Sequence, residues 1–216
     1  MNQEKLLRIL GYISITSSIT FALLIIILGF FQPGYSHTID TISVLSLGEG
    51  GFIQQINFGI LAIGLVSVGM GLSILIHKKL ISTISLLFFI FALSVILLIL
   101  FSADPVDRTK IKLTQMNTWE GFFHITITMG IIGLTGPAIL LITNGMKKRP
   151  LLHSNISHTF FVFAFNIIFG TLWFICRRNG ILFEWKGLWQ KILALNVLVW
   201  MARMGVIFIT YSHKKL

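Results

Sequence analysis

The chain has 216 residues, 55% of them hydrophobic and 11% charged, with a formal net charge of +10 and a mean hydropathy of +0.89. That balance excludes an ordinary water-soluble domain and predicts an all-α protein that crosses a membrane several times. The basic excess lies beside the ends of apolar runs, where anionic lipid headgroups account for it, so it is not read as a nucleic-acid surface; the partners expected from composition are membrane lipids.

A spanning helix needs roughly 20 mostly apolar residues. Six windows meet that condition, at 6–31, 52–76, 80–101, 119–143, 158–175 and 188–210, and they predict a single six-helix transmembrane domain over residues 1–216. The first window follows Lys5 and Arg8, but its apolar run exceeds the roughly 7–15 residues of a signal-peptide core and no small-x-small site follows it. It is expected to be a retained helix. Between the first two windows, Pro33 and Gly34 mark a turn. With Ser36 as N-cap, His37, Asp40 and Ser43 then fall at i, i+3 and i+6, while Ile39, Ile42 and Leu45 take another face. This pattern predicts a short amphipathic helix in the membrane interface, whose polar face could also be merely solvated.

In the second window Asn57, Gly64, Ser67 and Gly71 share a stripe, which suits close helix packing with Asn57 at its head. His77, Lys78 and Lys79 make a tight hairpin into the third window, and Asp104 opens the loop at 102–118. The fourth window carries Gly121, His124, Thr128 and Thr135 on one stripe, with Glu120 a turn before His124, and Pro137 is expected to kink it near Gly133. Pro150 breaks the next connection, whose Asn155 sequon falls on the expected cytoplasmic side and is set aside. The last window places Lys191 near one end, Asn196 near the middle and Arg203 close enough to the other end to snorkel. Cys176 is the only cysteine, so no intramolecular disulfide can form.

Lysine and arginine set the orientation. Lys5, Arg8, Lys78, Lys79, Lys147, Lys148, Arg149, Lys214 and Lys215 fall on one side of a six-span topology; Arg108, Lys110, Lys112, Arg177, Arg178 and Lys186 fall on the other. The first side is expected to be cytoplasmic, with both termini inside and the protein in the plasma membrane. Asp40, Glu49, Asp104, Asp107, Glu120 and Glu184 then lie outside.

Ionisable groups within a span usually face an interior or a wet cavity. His124, Asp104, His37, Asp40 and Lys191 share one depth on the outer side, and several chemistries suit them. Ser43, His124 and Asp104 could serve as nucleophile, base and orienting carboxylate. His37, Asp40, Asp104 and His124 could instead hold a divalent metal that activates water, though no tight ligand motif is present. Asp104, His124 and Lys191 could simply form a structural ion pair and hydrogen-bond network. Haem is disfavoured, because only His77 and His158 match in depth and both read as interfacial.

The segments Pro33-Gly34-Tyr35-Ser36, Thr41-Ile42-Ser43-Val44-Leu45, Asn57-Phe58-Gly59, Ser102-Ala103-Asp104-Pro105, His124 and Gly187-Leu188-Trp189-Gln190-Lys191 with Trp200 occur in order. In this the chain resembles the bacterial and archaeal membrane family catalogued as domain of unknown function 998. The resemblance implies a compact six-helix membrane protein with a polar outer cluster in which Ser43, Asp104 and His124 act together, and it implies no established activity. The family usually shows arginine where Lys191 stands, and lysine lacks the planar fork that grips a carboxylate, so a contact to Asp104 would be looser. The family's glycine and proline turn reads here as Gly48-Glu49-Gly50-Gly51.

The leading expectation is an outer-leaflet cavity that binds a lipid or other amphiphile and could hydrolyse it or transfer an acyl or headgroup. Ser43 or a metal-bound water would attack, His124 would be the base, Asp104 its orienting partner, and Lys191 an anion contact, with Asn57, His37 and Asp40 as further binding groups. The alternatives are a non-enzymatic carrier or exporter of small amphiphiles and an accessory or immunity-type protein acting through helix contacts.

Overall fold

The computed structural model describes residues 2–104 and 118–212. Asp107, Arg108, Lys110, Lys112, Lys214 and Lys215, which carry part of the charge argument, and Pro105 of the family resemblance lie outside the described residues. The helices α1 (Gln3–Phe31), α2 (Gly51–His77), α3 (Thr83–Leu100), α4 (Trp119–Lys147), α5 (Ile156–Asn179) and α6 (Lys186–Ser212) follow one another. The six candidate membrane spans coincide with the six apolar windows. The protein is a multi-pass, all-α membrane protein.

Each helix touches its neighbours in sequence and α6 returns to α1, so the six close into a ring; α2 also reaches inward to α6 and α4. In its apolar window α2 is 67% buried against 22% for α4, which makes α2 the central helix and leaves α4 mostly facing lipid. Small residues create the closest contacts. A Cβ on Gly11 of α1 would strike the Gly205 carbonyl of α6, and one on Gly205 would strike the Gly11 carbonyl. Ser14 Oγ donates across the same seam to the Met201 carbonyl at 2.7 Å. Gly64, Gly69 and Gly71 of α2 are filled by Ser17, Phe88 and Phe208. In the absence of a hydrophobic drive between helices in lipid, such close approach is what holds the bundle.

Helix ends follow local chemistry. Ser82 and Ser85 form a capping box that starts α3 at Thr83, and the Thr118 side chain caps α4 by accepting from Gly121 N at 3.0 Å. Lys78 stops α2 in the left-handed region at φ 53, and Ser73 Oγ steadies the hairpin by donating to the Lys79 carbonyl at 2.7 Å. α4 runs unbroken through Pro137. Arg203 reaches to that end of the bundle, where Nε and Nη2 both donate to Asn155 Oδ1, at 3.2 and 3.0 Å, and tie α6 to the turn before α5.

The first loop departs from the expected helix. Ser36 Oγ accepts from Ile39 N, but the Asp40 carboxylate folds back to accept from Ser36 N at 2.7 Å, which closes a single turn. A separate 3₁₀ helix then covers Ile42–Leu47. His37, Asp40 and Ser43 therefore do not share one helical face. Nor is that face solvated, since Asp40 is 1% exposed, Ser43 6% and Leu45 0%; the loop lies down over one end of the bundle.

Candidate functional site

Two groups of side chains meet at the end of the bundle covered by the first loop. The upper group fastens the loop to α6. The first amides of a helix lack internal acceptors, and the Thr38 carbonyl serves two of them, accepting from Gly187 N at 2.7 Å and Leu188 N at 3.0 Å. Gly187 permits this approach, because a Cβ there would collide with the Asp40 carbonyl. One turn on, Lys191 Nζ donates to the carbonyls of Asp40 at 2.7 Å, His37 at 3.0 Å and Gly187 at 3.4 Å, and lies 5.1 Å from the Tyr35 ring centre. Gln190 Oε1 accepts from Ile42 N at 2.8 Å.

Lys191 is thus a clamp on the loop backbone. Among the described residues it makes no ion pair with Asp104, so the expected Asp104–Lys191 network is not formed: the ammonium is consumed by carbonyls that the turn at 37–40 points at it. Burial, reinforced by Asp40, raises the Tyr35 hydroxyl well above the ordinary phenol range, and its OH is within 3.3 Å of the Asp40 and Thr41 carbonyls. Burial, reinforced by Lys191, holds His37 below the ordinary imidazole range. Its ring packs against Phe30 and Tyr35, and its buried Nε2 has no partner among the described residues.

The lower group belongs to a cavity of about 270 Å³ beneath the loop, enclosed by α1, α2, α3, α4, α5 and α6. Ser43, His124 and Gln190 line it at the loop end, Thr128 and Asn166 further in, and phenylalanine, leucine and tryptophan side chains make most of the wall. The indole N–H groups of Trp173 and Trp200 donate outward, to the Lys186 carbonyl at 2.7 Å and Thr159 Oγ1 at 3.1 Å, and leave their rings as apolar wall.

His124 Nδ1 lies 2.8 Å from the Phe101 carbonyl. A carbonyl only accepts, so Nδ1 carries the proton and, in the neutral ring, Nε2 carries the lone pair. The orienting position expected of Asp104 is occupied by the end of α3. Asp104 instead accepts from Thr118 Oγ1 at 2.6 Å, with its carboxylate against Gly121, one turn before His124. Ser43 Oγ lies 3.3 Å from Thr41 Oγ1 and makes no hydrogen bond to His124.

The structure therefore brings Ser43 and His124 to one cavity and sets His37, Asp40 and Lys191 above it. Asn57 is fully buried and ties α2 to the Phe21 carbonyl of α1 at 3.2 Å, outside the cavity wall. Among the described residues no group of three or more histidine, cysteine, aspartate or glutamate side chains is placed to hold a metal. The set His37, Asp40, Asp104 and His124 divides between the loop turn and the start of α4. Gln190, Asn166 and Trp173 were not anticipated as cavity residues. Asn166 gave a signal, as the one amide in the middle of the fifth apolar window.

No curated protein and no solved structure shows significant similarity to the chain. A family model described as "Protein of unknown function (DUF998)" matches residues 15–207. That match covers most of the chain, including both the loop clamp and the cavity, and the chain belongs to the DUF998 family.

Proposed function

We propose that this membrane protein binds an amphiphile inside its helical bundle, with the polar end under the first loop. The observation that carries this reading is the cavity itself: about 270 Å³ of apolar-walled space with Ser43, His124 and Gln190 at its loop end and few polar side chains beyond them. Ligand sites have this make-up, mostly apolar with a few placed polar groups that fix orientation. The lysine and arginine distribution favours an orientation with the loop end on the outer side, and in that orientation the ligand would enter from the outer leaflet.

Native mass spectrometry of the protein in mild detergent tests the reading. Gly170 of α5 lines the cavity, and a Cβ there would meet Ile132 no closer than 3.7 Å, so Gly170→Leu fills space without forcing backbone apart. The wild type should carry a co-purifying amphiphile that Gly170→Leu releases; equal occupancy in both proteins refutes the cavity as the site.

The His124 tautomer favours a second reading, acyl hydrolysis or transfer. The Ser43 hydroxyl would attack an ester carbonyl and pass its proton to His124 Nε2; the proton would leave with the alcohol, and water would release the acyl group by the same route. A fluorophosphonate probe should then label Ser43, and labelling should vanish in Ser43→Ala and fall sharply in His124→Phe. Absence of labelling in the folded wild type removes this reading and leaves the binding one in place.

A further inference from the structure

Resting on the amphiphile-binding reading, we infer that the cavity selects a single-chain amphiphile with an uncharged, hydroxyl-bearing headgroup, of the monoacylglycerol kind. Charge comes first. Among the described residues that line the cavity there is no aspartate, glutamate, lysine or arginine. Apart from His124, an ionised headgroup moved into such surroundings would find no titratable side chain among the described lining residues to replace its hydration. The cation nearest in sequence, Lys191, follows Gln190 directly, yet its Nζ is held by the three carbonyls of the clamp and by the Tyr35 face.

The polar groups that do line the cavity complement hydroxyls and an ester carbonyl. Gln190 spends Oε1 on Ile42 N, so Nε2 remains to donate. Thr128 Oγ1 donates to the His124 carbonyl at 2.8 Å, so toward the cavity it offers lone pairs. The Ser43 hydroxyl can rotate to give or to accept. A glycerol headgroup, with two hydroxyls beside one ester, uses all three; a phosphate, which only accepts, leaves Thr128 unmatched.

Shape then limits the tail. Gln190 and Trp200 of α6 both line the cavity, and ten helical rises between them span about 15 Å, the length of an extended chain of about twelve carbons. The volume of about 270 Å³ falls below the roughly 300–1,000 Å³ of pockets that enclose drug-sized ligands. A space of that length and volume suits one chain better than two.

The test uses the full chain in nanodiscs with four probes of twelve-carbon chains: 1-monolauroyl glycerol, dodecyl phosphate, dodecyltrimethylammonium and dilauroyl glycerol. Binding is read by calorimetry and by thermal shift. Monolauroyl glycerol should bind at one per chain, with the other three about ten-fold or more weaker. Ser43→Ala should weaken it about five-fold by removing one hydrogen bond. Gly170→Leu should abolish it, and Ala194→Phe, which fills the same cavity from α6, repeats the test if the first variant does not fold. Dodecyl phosphate binding as tightly as monolauroyl glycerol would overturn the uncharged headgroup, and equal binding of dilauroyl glycerol would overturn the single chain; either result leaves the amphiphile site standing. Binding of all four probes that neither cavity-filling variant changes would place them on the outer surface and overturn the site and the inference together.

Discussion

Replacing Lys191 with methionine should release the first loop without unfolding the bundle. Methionine keeps most of the length and apolar bulk of the side chain but withdraws the ammonium from the carbonyls of Asp40, His37 and Gly187. The bonds at 2.7 and 3.0 Å are short, and a hydrogen bond to a charged donor contributes about 1.5 kcal/mol or more. The 3.4 Å contact to Gly187 lies within the same helix and is counted as nothing. Two such bonds amount to about 3 kcal/mol, and at 1.4 kcal/mol per factor of ten the open loop becomes about 150-fold more populated. Amide hydrogen exchange read peptide by peptide is the assay. Exchange over residues 36–47 should accelerate by about that factor, limited only by the rate of the unprotected chain, while peptides of α1 and α2 stay protected. Unchanged exchange at 36–47 would mean that the Gly187, Leu188 and Gln190 contacts hold the loop alone and that Lys191 is not the clamp.

The same loop should respond to pH. His37 is held neutral by burial and by Lys191, so its folded pKa lies below the unfolded value near 6.5. The unfolded loop therefore binds a proton that the folded loop refuses, and stability present above pH 6.5 is lost as pH falls below it. Loop exchange at pH 5.5 should exceed that at pH 7.5 after correction for intrinsic rates, and His37→Gln should flatten the difference; a difference that survives the substitution assigns the effect to another group. At the α1–α6 seam, Gly11→Ala drives a methyl into the Gly205 carbonyl and the Ile209 side chain, an overpacking worth about 1–3 kcal/mol. Its unfolding temperature in detergent should drop, and an unchanged value would show that the helices part freely there. Asn155→Ala removes the acceptor of both Arg203 donors and, because Arg203 is exposed, should cost about 1 kcal/mol; thermal unfolding measures it, and an unchanged unfolding temperature would show that this tie adds nothing.

The helices were legible because each is a long apolar run with its own end signals, and counting turns placed His124 near the same end of the bundle as the first loop. What could not be counted was the loop. A stretch such as 36–45 carries a helical pattern, yet the Asp40 carboxylate competes for Ser36 N and the Lys191 ammonium competes for the carbonyls, and these tertiary partners outbid a single turn of helix. The same competition sets the contacts of Lys191. Its charge suggested an anion, and the Asp40 carboxylate does act on it electrostatically, but its hydrogen bonds go to the carbonyl dipoles of the turn. For His124 the partner was a backbone atom, the Phe101 carbonyl, and a sequence gives no sign of which carbonyl a loop will leave exposed at a helix end.

The glycines of α2 and those in the middle of α4 sit in different surroundings. On α2, Gly64, Gly69 and Gly71 are each occupied by a side chain from a neighbouring helix. On α4, Gly130 and Gly133 have nothing within 4 Å, and Gly136 meets only Ile167 at 3.8 Å. A glycine stripe stabilises a bundle only where another helix closes on it, so packing is closer along α1, α2 and α6 than along the middle of α4. The cavity is walled by α4 on the side that packs least. Pro137 adds to this, since it offers no N–H to the Gly133 carbonyl at the same level. A ligand entering from the membrane would therefore displace α4 at least cost, while the clamp between the loop and α6 stays closed above it. Restraining α4 against α5 should slow ligand exchange without altering the polar end of the cavity, whereas breaking the clamp with Lys191→Met should alter the polar end while α4 still moves. Exchange rates of a spin-labelled twelve-carbon monoacylglycerol in the two variants would separate the routes, and a rate left unchanged by the α4 restraint but raised by Lys191→Met would refute entry past α4.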